Sequence, residues 1–405
     1  MGASTIDAMV EATPADRDRV VDFLRAASIC AVVVGHWSIA IVWWDHGVLR
    51  TTSAIGVTSW LWLATWVLQV MPIFFFVGGF SNLVSYDAAR RRGETAGAFI
   101  RSRLDRLLRP SLVFFAVWVS IELAMHLLDV GAPTGPHVWG STTLLRGFLP
   151  PGATLPFGPL WFLAVYLVVV ALAPWLIRLH RRFRWWVPAV MVTGAVAADA
   201  IGFIAGFHLV RWCNVAFVLL LPHQLGFFYA DGTFARLSKA VWWAMIAVGL
   251  GLLTLLTTAP FWSLFGDARF GWFPEIGYYP KSLLGTDVER VSNAYPPTVC
   301  FLLGGIWTIG AVMLLRPALQ RWLQGRRPWK ATIVVNGVIM TLFLWHMTAF
   351  LCAVLVLWPL GLAHEHDSTA AWWLQHPLII GLSAAFLVGL IAIFGRFERP
   401  RPQPR

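Results

Sequence analysis

Residues 373–395 read WLQHPLIIGLSAAFLVGLIAIFG, with no Asp, Glu, Lys or Arg among them, and Arg396 follows at once. As a helix, such a run is about as long as the hydrocarbon core of a bilayer is thick, roughly 30 Å. Comparable runs occupy about 20–44, 60–84, 110–130, 159–178, 185–206, 210–230, 240–262, 297–316 and 331–357. None alternates apolar with polar residues as a membrane barrel strand does, so each is expected to cross as a helix that satisfies its own backbone. Composition agrees: of 405 residues 58% are hydrophobic and 13% charged, where a soluble domain carries about 25% charged residues. The mean hydropathy is +0.68. The expected fold is an all-α integral membrane protein of about ten transmembrane helices. A segment 1–19 precedes a single membrane domain, 20–395, and a basic tail, 396–405, ends it.

The net charge of +11 could suggest nucleic acid, but its distribution excludes that reading. With the N-terminus inside, alternating segments hold 24 Lys and Arg on the inner side and six on the outer side. That asymmetry is the positive-inside pattern, and it predicts that both termini face the cytoplasm of a plasma membrane. The four cysteines, Cys30, Cys213, Cys300 and Cys352, all lie in apolar runs and form no CxxC pair, so neither a disulfide framework nor a zinc site is expected. Residues 1–19 contain no cleavable apolar region, and the first span is expected to be retained. Two outer loops, about 131–158 and 263–296, are long enough to cap an entrance. No internal repeat suggests the inverted halves of many transporters.

Ionisable groups inside spans need partners or a hydrated cavity. The first span carries Asp22, Arg25 and His36. Eleven residues separate Arg25 from His36, about 20° short of or past whole turns and roughly 16 Å of rise, so both project from one stripe. Asp22 is placed to pair with Arg25. Glu122 and His126 share a face of the third span; His223 with Gln224 interrupts the sixth, and His346 the ninth. These five, together with Asp22, are candidates to line a cavity or to hydrogen-bond between helices. The outer cluster His364-Glu365-His366-Asp367 reads as solvated surface, and no metal site is expected.

Several stretches resemble one family. Asp22-Phe-Leu-Arg25-Ala-Ala-Ser-Ile-Cys-Ala-Val-Val-Val-Gly-His36 looks like the R-x10-H signature that opens the membrane acyltransferase-3 family. Pro72-Ile-Phe-Phe-Phe-Val-Gly-Gly-Phe80 is similar to that family's P-x-F-F-x-x-S-G-F, with Gly78 where serine is usual, so any role of that hydroxyl is absent. Arg103-Leu-Asp-Arg106-Leu-Leu-Arg-Pro110 resembles its R-x-x-R run, Leu160-Trp-Phe-Leu163 its L-W-F-L, and Phe343-Leu-Trp-His346 its late Y-L-x-H, with Trp345 in place of an aliphatic residue. His223-Gln224-Leu-Gly226 and Tyr295-Pro-Pro-Thr298 look like features of some members. The matches run in order over nearly the whole chain.

The resemblance implies transfer of a short acyl group, often acetyl, from cytoplasmic acyl-CoA to a hydroxyl of a glycan or glycolipid. No cofactor is expected beyond acyl-CoA as co-substrate. Imidazole suits a base that takes a hydroxyl proton near neutral pH; His36 is the candidate, as general base or as transient acyl carrier. Arg25, Arg103 and Arg106 suit the phosphates of acyl-CoA through planar, charge-assisted hydrogen bonds. Some relatives carry an added extracytoplasmic hydrolase-like domain, so a second step of that kind would need another protein. Expected partners are the bilayer and the acceptor, with a second copy of the chain or an envelope export protein also suitable. The competing expectation is a transporter or flippase in which Arg25 and His36 line a substrate or proton path.

Overall fold

A computed structural model describes residues 3–14, 17–45, 48–58, 60–128, 157–258, 277–285 and 291–398. In chain order the longer elements are α1 Ala3–Glu11, α2 Arg19–Ile39, β1 Ala40–Asp45, β2 Val48–Ser53, α3 Ala54–Val57, α4 Trp62–Leu68, α5 Met71–Arg91, α6 Ala96–Leu127, α7 Leu160–Phe183, α8 Trp186–Ile204, α9 Asn214–Ala230, α10 Lys239–Thr257, α11 Val299–Trp322, α12 Arg326–Asn336, α13 Ile339–Leu357 and α14 Ala370–Phe394. Among the described residues nine helical segments are long and apolar enough to cross a membrane. The remaining expected span, about 110–130, falls on the second half of α6. The all-α membrane fold expected from the sequence is therefore the observed one.

Three expected spans differ in detail. The first ends at Ile39, and its last residues pair instead as an antiparallel hairpin, from Ala40 opposite Ser53 to Asp45 opposite Val48. A short apolar run rich in β-branched and aromatic residues has no periodicity that separates helix from strand. The second is interrupted at Gln69–Val70, just before Pro72 in the first turn of α5. A proline has no N–H to continue a helix and its ring crowds the carbonyl four residues back, so a new helix starts there. The ninth divides at Gly337–Val338 into α12 and α13.

The chain forms two compact units. The first comprises Met1–Ser28, Ser59–Ala96 and Leu172–Ile333. A close seam joins α5 to α9, where a side chain at Gly79 would overlap the carbonyl of His223 and one at Gly226 the carbonyl of Phe76. Only hydrogen allows backbones this close, as at small-residue seams between membrane helices. Val20, Val21, Leu24, Ile73, Phe76, Leu225 and Phe228 fill the space beside it. The second unit comprises Ile29–Thr58, Gly97–Ala171 and Val334–Arg405. Its core gathers Val33 and Trp37 of α2, Phe114 and Trp118 of α6, Leu160 and Leu163 of α7, Phe343 to Phe350 of α13 and Ile379 of α14. Outward faces stay apolar, as Leu374 at 82% exposure and Val388 at 67% illustrate. Such surfaces are stable against lipid tails and would not be in water.

Candidate functional site

The helix that opens the chain's signature stretch is held at both ends. Asp18 caps its start: Oδ1 accepts from the backbone N–H of Val20 at 3.0 Å and of Val21 at 3.2 Å. Such a cap satisfies donors that the first turn leaves unpaired. The other oxygen of Asp18 accepts from the Tyr229 hydroxyl at 2.6 Å, which itself accepts from Arg316 Nε at 2.7 Å. One turn on, buried Asp22 accepts from Arg17 Nε at 2.5 Å and from Arg25 Nη1 at 3.4 Å. Arg25 Nη2 donates to the Ser81 hydroxyl at 2.6 Å. Ser81 lies one turn after Gly78, so this face of α5 presents a hydroxyl even though the motif position lacks one. Arg25 keeps 29% of its side chain exposed.

In the second unit, the far half of α2 brings His36 against His346. His36 Nδ1 lies 2.8 Å from His346 Nε2, and the rings are within 20° of parallel. The opposite nitrogen of His346, Nδ1, lies 2.7 Å from the carbonyl oxygen of Phe343. His346 has no exposed surface, whereas His36 is half-buried. The lipid-facing residue nearest it on the helix is Val34, 51% exposed. At 100° per residue, His36 projects about 160° around the helix from Val34, away from that stripe.

The residues beside His36 are clamped as well. The indole Nε1–H of Trp37 donates to the backbone carbonyl of His346 at 2.9 Å, and His376 Nε2–H donates to the backbone carbonyl of Trp37 at 2.6 Å. Trp37 belongs to the last turn of α2, where carbonyls lack intrahelical partners. His376 therefore caps the end of the helix, wedged against the face of Trp372 at a centroid distance of 3.9 Å. Trp345 stacks on Phe394 at 4.0 Å and meets Phe114 edge-on. That packing explains an aromatic residue where the family pattern has an aliphatic one.

The other sequence candidates separate. His223 Nε2 and Asn82 Nδ2 pair at 3.1 Å, and Gln224 Nε2 pairs with His180 Nδ1 at 2.7 Å. All four are buried, so His223 and Gln224 tie helices together. His180 also reaches Asp231 at 3.3 Å. Burial pushes the Asp231 carboxyl up, but the hydroxyl and amide of Thr233 and the His180 imidazole outweigh it and hold it below its ordinary range. On α6, Arg103 is half-buried and Arg106 exposed. The side chains of Glu122 and His126 lie outside the described residues. In the outer cluster, His364 stacks on Trp358 and donates to its carbonyl, and Glu365 accepts from Thr369.

Two features went unnoticed in the sequence. One is His376, which sits at the start of an apolar run like an ordinary interfacial residue. The other is Asp199, a buried carboxylate on α8. It accepts from Asn214 at 2.8 Å, from the Tyr279 hydroxyl at 2.8 Å and from the Val299 N–H at 2.9 Å. Placed at the N-terminus of α11, it complements the helix dipole there and ties Tyr279 to α8 within the first unit. Burial, reinforced by the Asp199 carboxylate, pushes the Tyr279 hydroxyl well above its ordinary pKa. No signal but a lone Asp in an apolar run marked this tie.

Residues 18–395 match the model of one family, described as an acyltransferase domain. No curated protein and no solved structure matches the chain.

Proposed function

Because the chain belongs to acyltransferase family 3, a membrane acyltransferase family, we propose that it moves a short acyl group, such as acetyl, from acyl-CoA to a hydroxyl of a glycan or glycolipid.

 On this reading both termini lie on the cytoplasmic side of the plasma membrane, so that the donor arrives where the basic residues concentrate. His36 is the general base. Its imidazole accepts the proton of the acceptor hydroxyl as that oxygen attacks the thioester carbon. The new C–O bond forms, the C–S bond breaks, and the protonated imidazole returns its proton to the departing thiolate, giving an ester and free CoA thiol. Arg25, Arg103 and Arg106 each suit the donor's phosphates; a guanidinium offers two parallel donors to two phosphate oxygens.

The observation that carries this reading is the half-buried imidazole of His36, hydrogen-bonded on one nitrogen and turned away from the lipid-facing stripe of its helix. An ionisable ring in a span, half-buried and held in one orientation, suits proton transfer better than anchoring. Mass spectrometry of envelope glycans and glycolipids tests it. A host strain lacking the gene should lose one acyl mass from one species. The wild-type gene should restore that mass, and His36→Ala, at equal abundance in the membrane, should not. Full restoration by His36→Ala would overturn the role given to His36.

A further inference from the structure

We propose that His346 and the backbone carbonyl of Phe343 fix the tautomer of His36, so that the proton of the neutral ring sits on Nδ1 and the lone pair that does the chemistry sits on Nε2. The inference rests on the reading of His36 as base and adds a positioning residue to it. It starts from the group whose protonation is unambiguous. A carbonyl oxygen only accepts, so the 2.7 Å contact between Phe343 O and His346 Nδ1 requires the hydrogen to be on that nitrogen. His346 is wholly buried and touches no carboxylate among the described residues, so a second proton would leave an uncompensated charge in an apolar core. The ring is therefore neutral, and its Nε2 presents a lone pair.

That lone pair faces His36 Nδ1 at 2.8 Å. Two lone pairs would repel at this distance, so His36 Nδ1 carries the hydrogen and donates. A neutral imidazole has one N–H, and its other nitrogen is then the acceptor. This leaves Nε2 of His36 as the unprotonated nitrogen of a half-buried residue. The chain of donors thus runs from His36 Nδ1–H to His346 and from His346 Nδ1–H to the Phe343 carbonyl. When Nε2 takes up a substrate proton, the bond to His346 becomes charge-assisted and strengthens without any group having to move. Trp37 binds the backbone of His346 and His376 binds the backbone of Trp37, so the two rings are kept in register from both sides.

The test reads the tautomer directly. The full chain, labelled with nitrogen-15 histidine and held in detergent at a pH where the imidazoles are neutral, gives separate resonances for protonated and unprotonated ring nitrogens. The signal missing from a His36→Gln sample assigns His36 among the 11 histidines. The expected result is a hydrogen on Nδ1 of His36 in the wild type. In His346→Leu that preference should be lost, and kcat should fall by about 100-fold, within what a positioned base contributes, while KM for the acyl donor changes less than about threefold. His346→Gln, whose amide oxygen still accepts, should recover part of the Nδ1 preference and of kcat. A wild-type ring protonated on Nε2, or an unchanged tautomer in His346→Leu, would overturn the proposal. The resonance readout does not require turnover. A protein that shows the Nδ1 tautomer but transfers no acyl group would remove the enzymatic reading and leave this one standing.

Discussion

At the scale of single residues, the arrangement divides the labour of one helix. Arg25 is bound by Asp22 and Ser81 and keeps an exposed edge. His36 is bound through Nδ1 by His346 and is itself half-buried. Both residues were readable in the sequence, because a guanidinium and an imidazole in an apolar run demand explanation. Asp22 was readable as the partner of Arg25 from its i, i+3 spacing; Ser81 and His346 were not readable as partners. His346 stands 310 positions from His36, and no periodicity links two helices so distant in the chain. The account makes a sharp statement about Arg25. Lysine keeps the charge but not the planar fork, so it cannot hold Ser81 and Asp22 and also grip a phosphate with paired donors. Arg25→Lys is expected to raise KM for acyl-CoA about tenfold, close to the weight of one charge-assisted hydrogen bond, with a smaller change in kcat. Steady-state kinetics over a range of donor concentrations measures this. An unchanged KM would remove Arg25 from donor binding.

At the scale of elements, the spans were legible as spans and their interruptions were not. Ala40–Asp45 reads as the end of a helix because its residues are apolar, yet it pairs with Val48–Ser53 as a hairpin. The break before Pro72 carried a signal in the proline itself. The seam of α5 with α9 gives an element-scale prediction. A methyl group at Gly226 would meet the Phe76 carbonyl and the backbone of Phe80, neither of which can rotate aside, whereas Gly251 has nothing within 4 Å of where a side chain would go. Gly226→Ala should therefore destabilise the first unit by about 1–3 kcal/mol, the usual cost of overpacking. Gly251→Ala should be neutral or slightly stabilising through helix propensity. Thermal unfolding of both variants in detergent separates the outcomes, and equal midpoints would contradict the close approach.

At the scale of the whole molecule, composition and hydropathy were enough to place the chain in a membrane, because a bilayer imposes one requirement on every span: satisfy the backbone internally and present apolar atoms outward. The same simplicity hides function, since the lipid-facing majority of residues would suit a transporter equally well. Only the few polar residues within the spans discriminate. Of these, His223 and Gln224 proved to be interhelical ties with Asn82 and His180, and His346 proved to be the partner of His36. The distinction between enzyme and transporter comes down to whether turnover needs a membrane with two sides. The most direct measurement is the purified chain in detergent, with no gradient, supplied with acetyl-CoA and an envelope lipid extract as acceptor. The account predicts one free thiol released for each ester formed, and a rate in His36→Ala lower by about 100-fold or more. Wild-type protein that releases no thiol, or a His36→Ala variant that turns over at the wild-type rate, would contradict it.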